Sequence, residues 1–259
     1  TNDATVTYNA PTWDAGNYYW PQNGYITFVG YLPAAPSAGT FSVTEDGLQI
    51  SDYTTDGDED LLVSEIIYDQ TKSSAASGVQ MVFKHALTAL KFTVATELTG
   101  VTVDVKSITL KGVNNKGDFN QGLSSNDFYM GVPKDLEGNI VNPCWTAEES
   151  PAVYSFFTSS DFVVGSTPKA TATVEAPIDL IVIPQELDED VKLEVVYTIK
   201  SATMTDTVTQ TVETPLKVGN TPTQWLRGYC YTYNLKILLD RITFAPTVTD
   251  WTYETAGDV

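Results

Sequence analysis

The chain has 259 residues and carries 33 Asp and Glu against 14 Lys and Arg, a formal charge of −19 at pH 7 with a pI near 4.1. A chain this acidic repels phosphate backbones and anionic bilayers, which argues against nucleic acid or the membrane surface as a direct partner. One histidine and two cysteines form no recognisable metal-ligand spacing, and no run of roughly 18–20 apolar residues is present for a membrane-spanning helix.

From the N-terminus, the first marked feature is aromatic: Trp13, then Tyr18-Tyr19-Trp20-Pro21, then an apolar run from Ile26 to Tyr31 ahead of Pro33. Loops are expected at 34–40 and 56–60. Leu62, Ile66 and Asp69 share a helical face, which predicts the one credible helix around Leu61 to Asp69. Between 79 and 94 the apolar residues alternate at period two, but in two phases. Met81, Phe83, His85 and Leu87 form one set, and Leu90, Phe92 and Val94 the next. A one-residue slip predicts a β-bulge near Thr88-Ala89.

The polar stretch Thr96 to Gly100 separates two strand runs and is the expected domain boundary, giving an N-terminal domain over 1–98 and a C-terminal domain over 99–259. A second phase slip lies between Val101-Val103-Val105 and Ile108-Leu110. Loops are expected at 112–127 and 164–169, with a short turn at Thr146 to Glu149. Ile178 to Ile183 is apolar on both faces, as a centrally buried strand is, and Pro184 ends it.

Val191, Leu193, Val195, Tyr197 and Ile199 alternate with Lys192, Glu194, Val196, Thr198 and Lys200. In the following run Val208 and Val212, with Ala202 and Met204, face away from Thr203, Thr205, Thr207, Thr209 and Thr211. A threonine-lined face favours extended backbone while staying wet, so the two runs predict a hairpin turning near Ser201. Trp225 to Trp251 is again dense in period-two alternation. Many short strands punctuated by Gly, Pro and Asn give an all-β chain with few short helices.

The residues suited to chemistry form no catalytic set. His85 lies in mid-strand with no nucleophile elbow nearby, so a histidine bonded to a neighbour is expected rather than a Ser-His-Asp or Cys-His centre. Asp56-Gly57-Asp58-Glu59-Asp60 offers oxygen ligands but lacks the spacing of an EF-hand loop, and a solvated acidic loop is expected. The run Glu186 to Asp190 reads the same way. Nothing in residue order selects a carboxylate pair for glycoside hydrolysis. Gly112, Gly117 and Gly122 are spaced as turn residues, without a phosphate-binding pattern. Cys144 and Cys230 permit one bridge without implying it, and two buried free thiols are the plainer state. The expectation is a protein that is not an enzyme and holds no metal or cofactor.

Several segments, in order, resemble the fimbrillin family of lipid-anchored type V pilins and related surface proteins of Bacteroidales. Tyr18-Tyr19-Trp20-Pro21 with the aromatic strand before Pro33 is similar to that family's opening. Asp60-Leu61-Leu62-Val63, Phe83-Lys84-His85-Ala86-Leu87 and Ile108 to Gly117 resemble elements that follow it. Ile181-Val182-Ile183-Pro184-Gln185 resembles its L-x-x-I-P-Q element, and Trp225, Gly228, Tyr231 and Leu235 resemble its penultimate strand. The resemblance implies two tandem transthyretin-like β-sandwiches. It further implies export as a lipoprotein to the outer membrane, with signal and lipobox upstream of Thr1, and a place among fimbrial subunits of the same or related type.

The resemblance also implies assembly by donation of a strand into a neighbour's groove, which repairs unpaired backbone and an apolar cleft together. The expected donor is Arg241 to Trp251, with Ile242, Phe244, Val248 and Trp251 as its apolar side chains. Burying four such side chains contributes roughly 6–12 kcal/mol before ordering costs. The plainer reading for an isolated chain is that this segment is the last strand of its own domain. A competing function is carbohydrate binding in a glycan-uptake system, with Trp13, Tyr18, Tyr19 and Trp20 as stacking aromatics and host or bacterial surface glycans as partners.

Overall fold

The computed structural model describes residues 4–10, 12–36, 38–124, 144–171, 180–201, 203, 205–217, 222–239 and 241–251. The N-terminal strands are β1 (Thr7–Asn9), β2 (Thr12–Asp14), β3 (Ile26–Phe28), β4 (Tyr31–Leu32), β5 (Thr40–Thr44), β6 (Gly47–Thr54), β7 (Leu62–Ser64), β8 (Ile67–Gln70) and β9 (Phe83–His85). After them come β10 (Thr88–Thr96), β11 (Val101–Asn114), β12 (Lys116–Asn120), β13 (Trp145–Ala147), β14 (Pro151–Thr158), β15 (Val163–Val164) and β16 (Lys169–Ala170). The last five are β17 (Leu180–Val182), β18 (Lys192–Ser201), β19 (Val208–Pro215), β20 (Tyr229–Ile237) and β21 (Ile242–Asp250). Among the described residues the only helical piece is a 3-10 turn at Gln121–Ser124.

Two five-stranded sheets face each other across the larger core. One runs β16-β10-β20-β21 with β17 also paired to β10, and the other runs β14-β11-β18-β19 with β15 also paired to β11. The first contributes Leu90, Phe92, Val94, Tyr231, Tyr233 and Leu235, the second Val103, Val105, Ile108, Leu110, Leu193 and Val195. Each of these sets is the inward half of an alternating strand, which is why period-two patterning locates them. The β10–β20 pair is parallel, and a parallel pair needs a long crossover rather than a tight turn.

A smaller core joins the four-stranded sheet β13-β12-β6-β5 to the three-stranded sheet β4-β7-β9. It holds Leu48, Ile50 and Tyr53 of β6, Leu61, Val63, Ala86 and Leu87, and also Phe119 and Trp145 from far along the sequence. The strand β17 and the residue after it serve both cores: Leu180 and Val182 pack into the larger one, Ile181 and Ile183 into the smaller. That is the physical reason this run is apolar on both faces and all three of its strand residues are buried. Ile178, the first residue of the predicted run, lies outside the described residues.

Four local expectations are corrected. The loop expected at 112–127 is mostly strand over its described part, since β11 runs to Asn114 and β12 covers Lys116–Asn120. Leu61 to Asp69 is not helical: β7 and β8 occupy it. β7 is paired on both sides, Val63 opposite Tyr31 and Lys84, so its backbone groups are satisfied by neighbouring strands, while Asp69 on the supposed helical face is exposed. Thr146 to Glu149 is no helical turn either, because Trp145–Ala147 pairs with β12. The phase change at 87–90 is not a bulge. It marks the passage from β9 to β10, where Ala86 and Leu87 are fully buried and the chain leaves one sheet for another.

The second slip is a true register shift, between Val105 and Ser107 against β18. The β18–β19 hairpin forms with Ile199 opposite Val208. Thr209 and Thr211 are exposed, Val212 packs on the larger core, and Val208 beside the turn end of the hairpin stays exposed. Ala202 and Met204 of that hairpin lie outside the described residues. Cys144 and Cys230 are both buried and are not bridged to each other.

Gly112 and Gly16 test how tightly the long strand β11 is seated. Both have left-handed backbone, φ +76 and +85, but a Cβ at Gly112 would overlap the Asp190 carbonyl whereas Gly16 has open space. Gly16→Ala is expected to cost about 1–2 kcal/mol from backbone strain alone, and Gly112→Ala clearly more, because two backbone segments must separate. Urea midpoints measure the difference, and equal losses at the two sites would contradict this packing.

Candidate functional site

The strand proposed from sequence as a donor is paired within its own chain. β21 lies at the edge of its sheet and matches β20 residue for residue, from Ile237 opposite Ile242 to Tyr229 opposite Asp250. Ile242 is buried in the larger core. Phe244 is half-buried and meets the Tyr233 ring edge-on at 5.8 Å. Pro246 sits opposite Tyr233, a position that an edge strand tolerates. Val248 is 49% exposed. Residues 247–250 are all exposed, so the second half of the strand rests mainly on its ladder.

Trp251 lies one residue past the strand and reaches the smaller core. Its ring stacks on His85 with centroids 3.7 Å apart and planes 7° from parallel. The His85 Nδ1 is 2.8 Å from Asp60 Oδ2, so the single histidine is a buried structural residue bonded to a neighbour. The Trp251 amide donates to the Gly228 carbonyl, and the Gly228 amide donates to the Leu87 carbonyl, both at 2.8 Å.

The sequence-predicted aromatics fall into separate groups. Trp13 lies on the β1–β2 hairpin against Tyr8, centroids 5.0 Å apart and planes tilted by 46°. Trp20 packs edge-on against Phe28 at 6.0 Å and is half-buried. Tyr18 and Tyr19 are exposed, Tyr19 at 91%. Tyr8 and Tyr25 are exposed too. Sequence reading passed them over because exposure of an aromatic has no local signature.

The acidic segment Asp56 to Asp60 borders a cleft of about 330 Å³ lined by Asp56, Gly57, Asp58, Val153, Tyr154 and Leu180. Among the described residues no group of three His, Cys, Asp or Glu is placed to hold a metal ion. The Asp58 carboxyl is held above the usual carboxylate range because its protonated form donates a hydrogen bond to Asp56, with burial and neighbouring negative charge adding to it. Burial first, then nearby carboxylates, pushes the phenols of Tyr53 and Tyr154 up. In β20, burial pushes Tyr233 up despite its bond from Trp225, and Tyr231 up to about 12.

These four phenols bind their protons more tightly folded than unfolded. The stability they contribute is therefore complete below the ordinary value of 10.0 and is lost as pH rises through the folded values. Stability is expected to fall steeply above about pH 10. In a spectrophotometric titration four tyrosinates are expected to emerge only together with the loss of the far-ultraviolet strand signal. Reversible titration of all 14 tyrosines with that signal intact would contradict the burial described.

The fimbrillin-like family matches this chain over residues 1–251. No curated protein matches. Among solved structures, a fimbrial protein from Bacteroides vulgatus is similar with a TM-score of 0.69 at 20% identity, over 97% of this chain and 85% of that one. A protein from Bacteroides uniformis described as a candidate cell adhesion protein is similar with a TM-score of 0.51 at 15% identity, over 93% and 80% of the two chains. At these identities the likeness concerns the fold.

Proposed function

The chain belongs to the fimbrillin-like family, and we propose from that premise that it is a structural subunit or accessory adhesin of cell-surface fimbriae, joined to its neighbours by strand addition. On this reading the precursor carries a lipid anchor to the outer membrane, and the partners are fimbrial subunits of the same or related type. The presence of two cores supports, on the same reading, two sandwich modules. The observation that supports strand addition most is the character of β21: a nine-residue strand at a sheet edge whose second half is exposed.

Such a strand can leave β20 and be replaced by its counterpart from another subunit. The ladder broken and the ladder formed are equivalent, so the exchange costs little at equilibrium, as in domain swapping. Ile242 and Phe244 then fill the position they vacate, and Val248, solvent-facing in the single chain, is free to meet a partner's surface. A second reading, carbohydrate binding at the cell surface, is favoured by the exposure of Trp13 at 65% and of Tyr19, since bare aromatic faces suit sugar rings. Titration with oligosaccharides decides it: micromolar binding lost in Trp13→Ala or Trp20→Ala is the expected signature, and no binding across a glycan array ends that reading.

Strand exchange is tested through Cys230, which is opposite Thr249 in the β20–β21 register. In Thr249→Cys the isolated chain is expected to form an internal disulfide. Assembled material is expected to give a reductant-sensitive ladder of covalent oligomers, because the strand then comes from another subunit. Assembled filaments with only internal disulfides would exclude β21 as the exchanged strand.

Charge supplies a second test. Two copies at −19 repel over about 30 Å at 0.01 M salt but only about 8 Å at 0.15 M. The association rate is expected to rise by an order of magnitude or more across that range, as followed by light scattering. A rate indifferent to salt would show that subunits do not meet through their acidic surfaces.

A further inference from the structure

The strand β21 spans both cores. It begins with Ile242 in the larger one, and Trp251 just beyond its end is packed on the smaller one. Between them, residues 247–250 are exposed. The far end of the strand is therefore held by its ladder to β20 and by whatever fixes Trp251.

What fixes it is a closed circuit of contacts. The Trp251 ring lies flat on His85, nearer and more nearly parallel than the Phe92–Phe156 stack at 4.4 Å and 25°. His85 ends β9 and is steadied by Asp60 at 2.8 Å, from the loop ahead of β7. On the backbone side Trp251 bonds to Gly228, and Gly228 to Leu87, two residues after His85. Gly228 has φ +72, a conformation that glycine adopts without steric cost. None of Asp60, His85 and Leu87 belongs to the sheet that contains β21.

We infer that the Asp60–His85–Trp251 stack is a clasp that keeps β21 in its own sheet and sets how often the strand opens. It rests on the strand-exchange reading only for its consequence in assembly. A neighbour's strand can remake the same stack after exchange, so the clasp governs the rate of opening more than the final balance. It also couples the two cores, because a partner that disturbs the Asp60 loop loosens a strand belonging to the other sheet.

The test is amide hydrogen exchange by mass spectrometry on the whole chain. In Trp251→Ala the amides of 243–250 are expected to exchange at least about ten-fold faster, while those of β11 and β18 keep the wild-type rate. Trp251→Phe, which keeps a ring over His85, is expected to stay within about three-fold, and Asp60→Asn to fall between. Unchanged exchange over 243–250 in Trp251→Ala would overturn the clasp. So would equal acceleration everywhere, since Trp251 would then be an ordinary core residue. If Trp251→Ala does not fold, Asp60→Asn carries the same comparison, and an unchanged rate there overturns the clasp. The Thr249→Cys cross-link separates this inference from the one beneath it. Faster amides without intermolecular disulfides leave the clasp standing and remove strand exchange, whereas intermolecular disulfides with unaltered amides do the reverse.

Discussion

The architecture depends on one short strand with no polar face. In β17 successive side chains point to opposite sides, and here both sides are interior: Leu180 and Val182 serve the larger core, Ile181 and Ile183 the smaller. A wall shared in this way cannot be exposed on either side without leaving a hole in a core, where density is high and lost contacts are not regained. Its anchorage is polar as well as apolar. The Ile181 amide donates to the Gly57 carbonyl, and the Ile181 carbonyl accepts from Thr55 Oγ1. The loop ahead of β7 is thereby tied to a strand more than a hundred residues away.

The cores are accordingly interleaved along the chain. β10 pairs with β20 and fills the larger core, while Phe119 and Trp145 cross into the smaller one. A single residue, Asn115, separates β11 in one sheet from β12 in another. Its carbonyl accepts from Thr55 and its amide donates to Ser150, so the crossing leaves neither backbone group without a partner. The same economy holds β21, which starts in one core and is pinned beside the other.

Electrostatics adds local order to a molecule that repels its own copies. Lys111 is held between Glu194 and Glu213, and Lys116 between Asp52 and Glu148. Both ammonium groups are kept above the ordinary lysine range by those carboxylates. These pairs remain open to solvent on at least one side and contribute little to stability each, but they bridge neighbouring strands. The acidic surface makes copies of the chain repel one another at low salt.

Much of this was legible in the order of residues. Alternation at period two located β10, β11, β18 and β20, the slip after Val105 marked a real register shift, and the doubly apolar run ending at Ile183 announced a buried strand. The family likeness was carried by short motifs of the same kind. Local patterning failed at Leu61 to Asp69, where pairing with β4 and β9 overrode a weak helical spacing. It failed again at Thr88, where the phase change signalled a change of sheet. Periodicity states that a side chain turns inward but not which interior it meets. Only the closed tertiary structure placed Trp13 and Trp20 in different ring pairs, divided β17 between two cores and laid Trp251 on His85. Each of those contacts joins residues that no local pattern relates, and chain closure over long separations decides them.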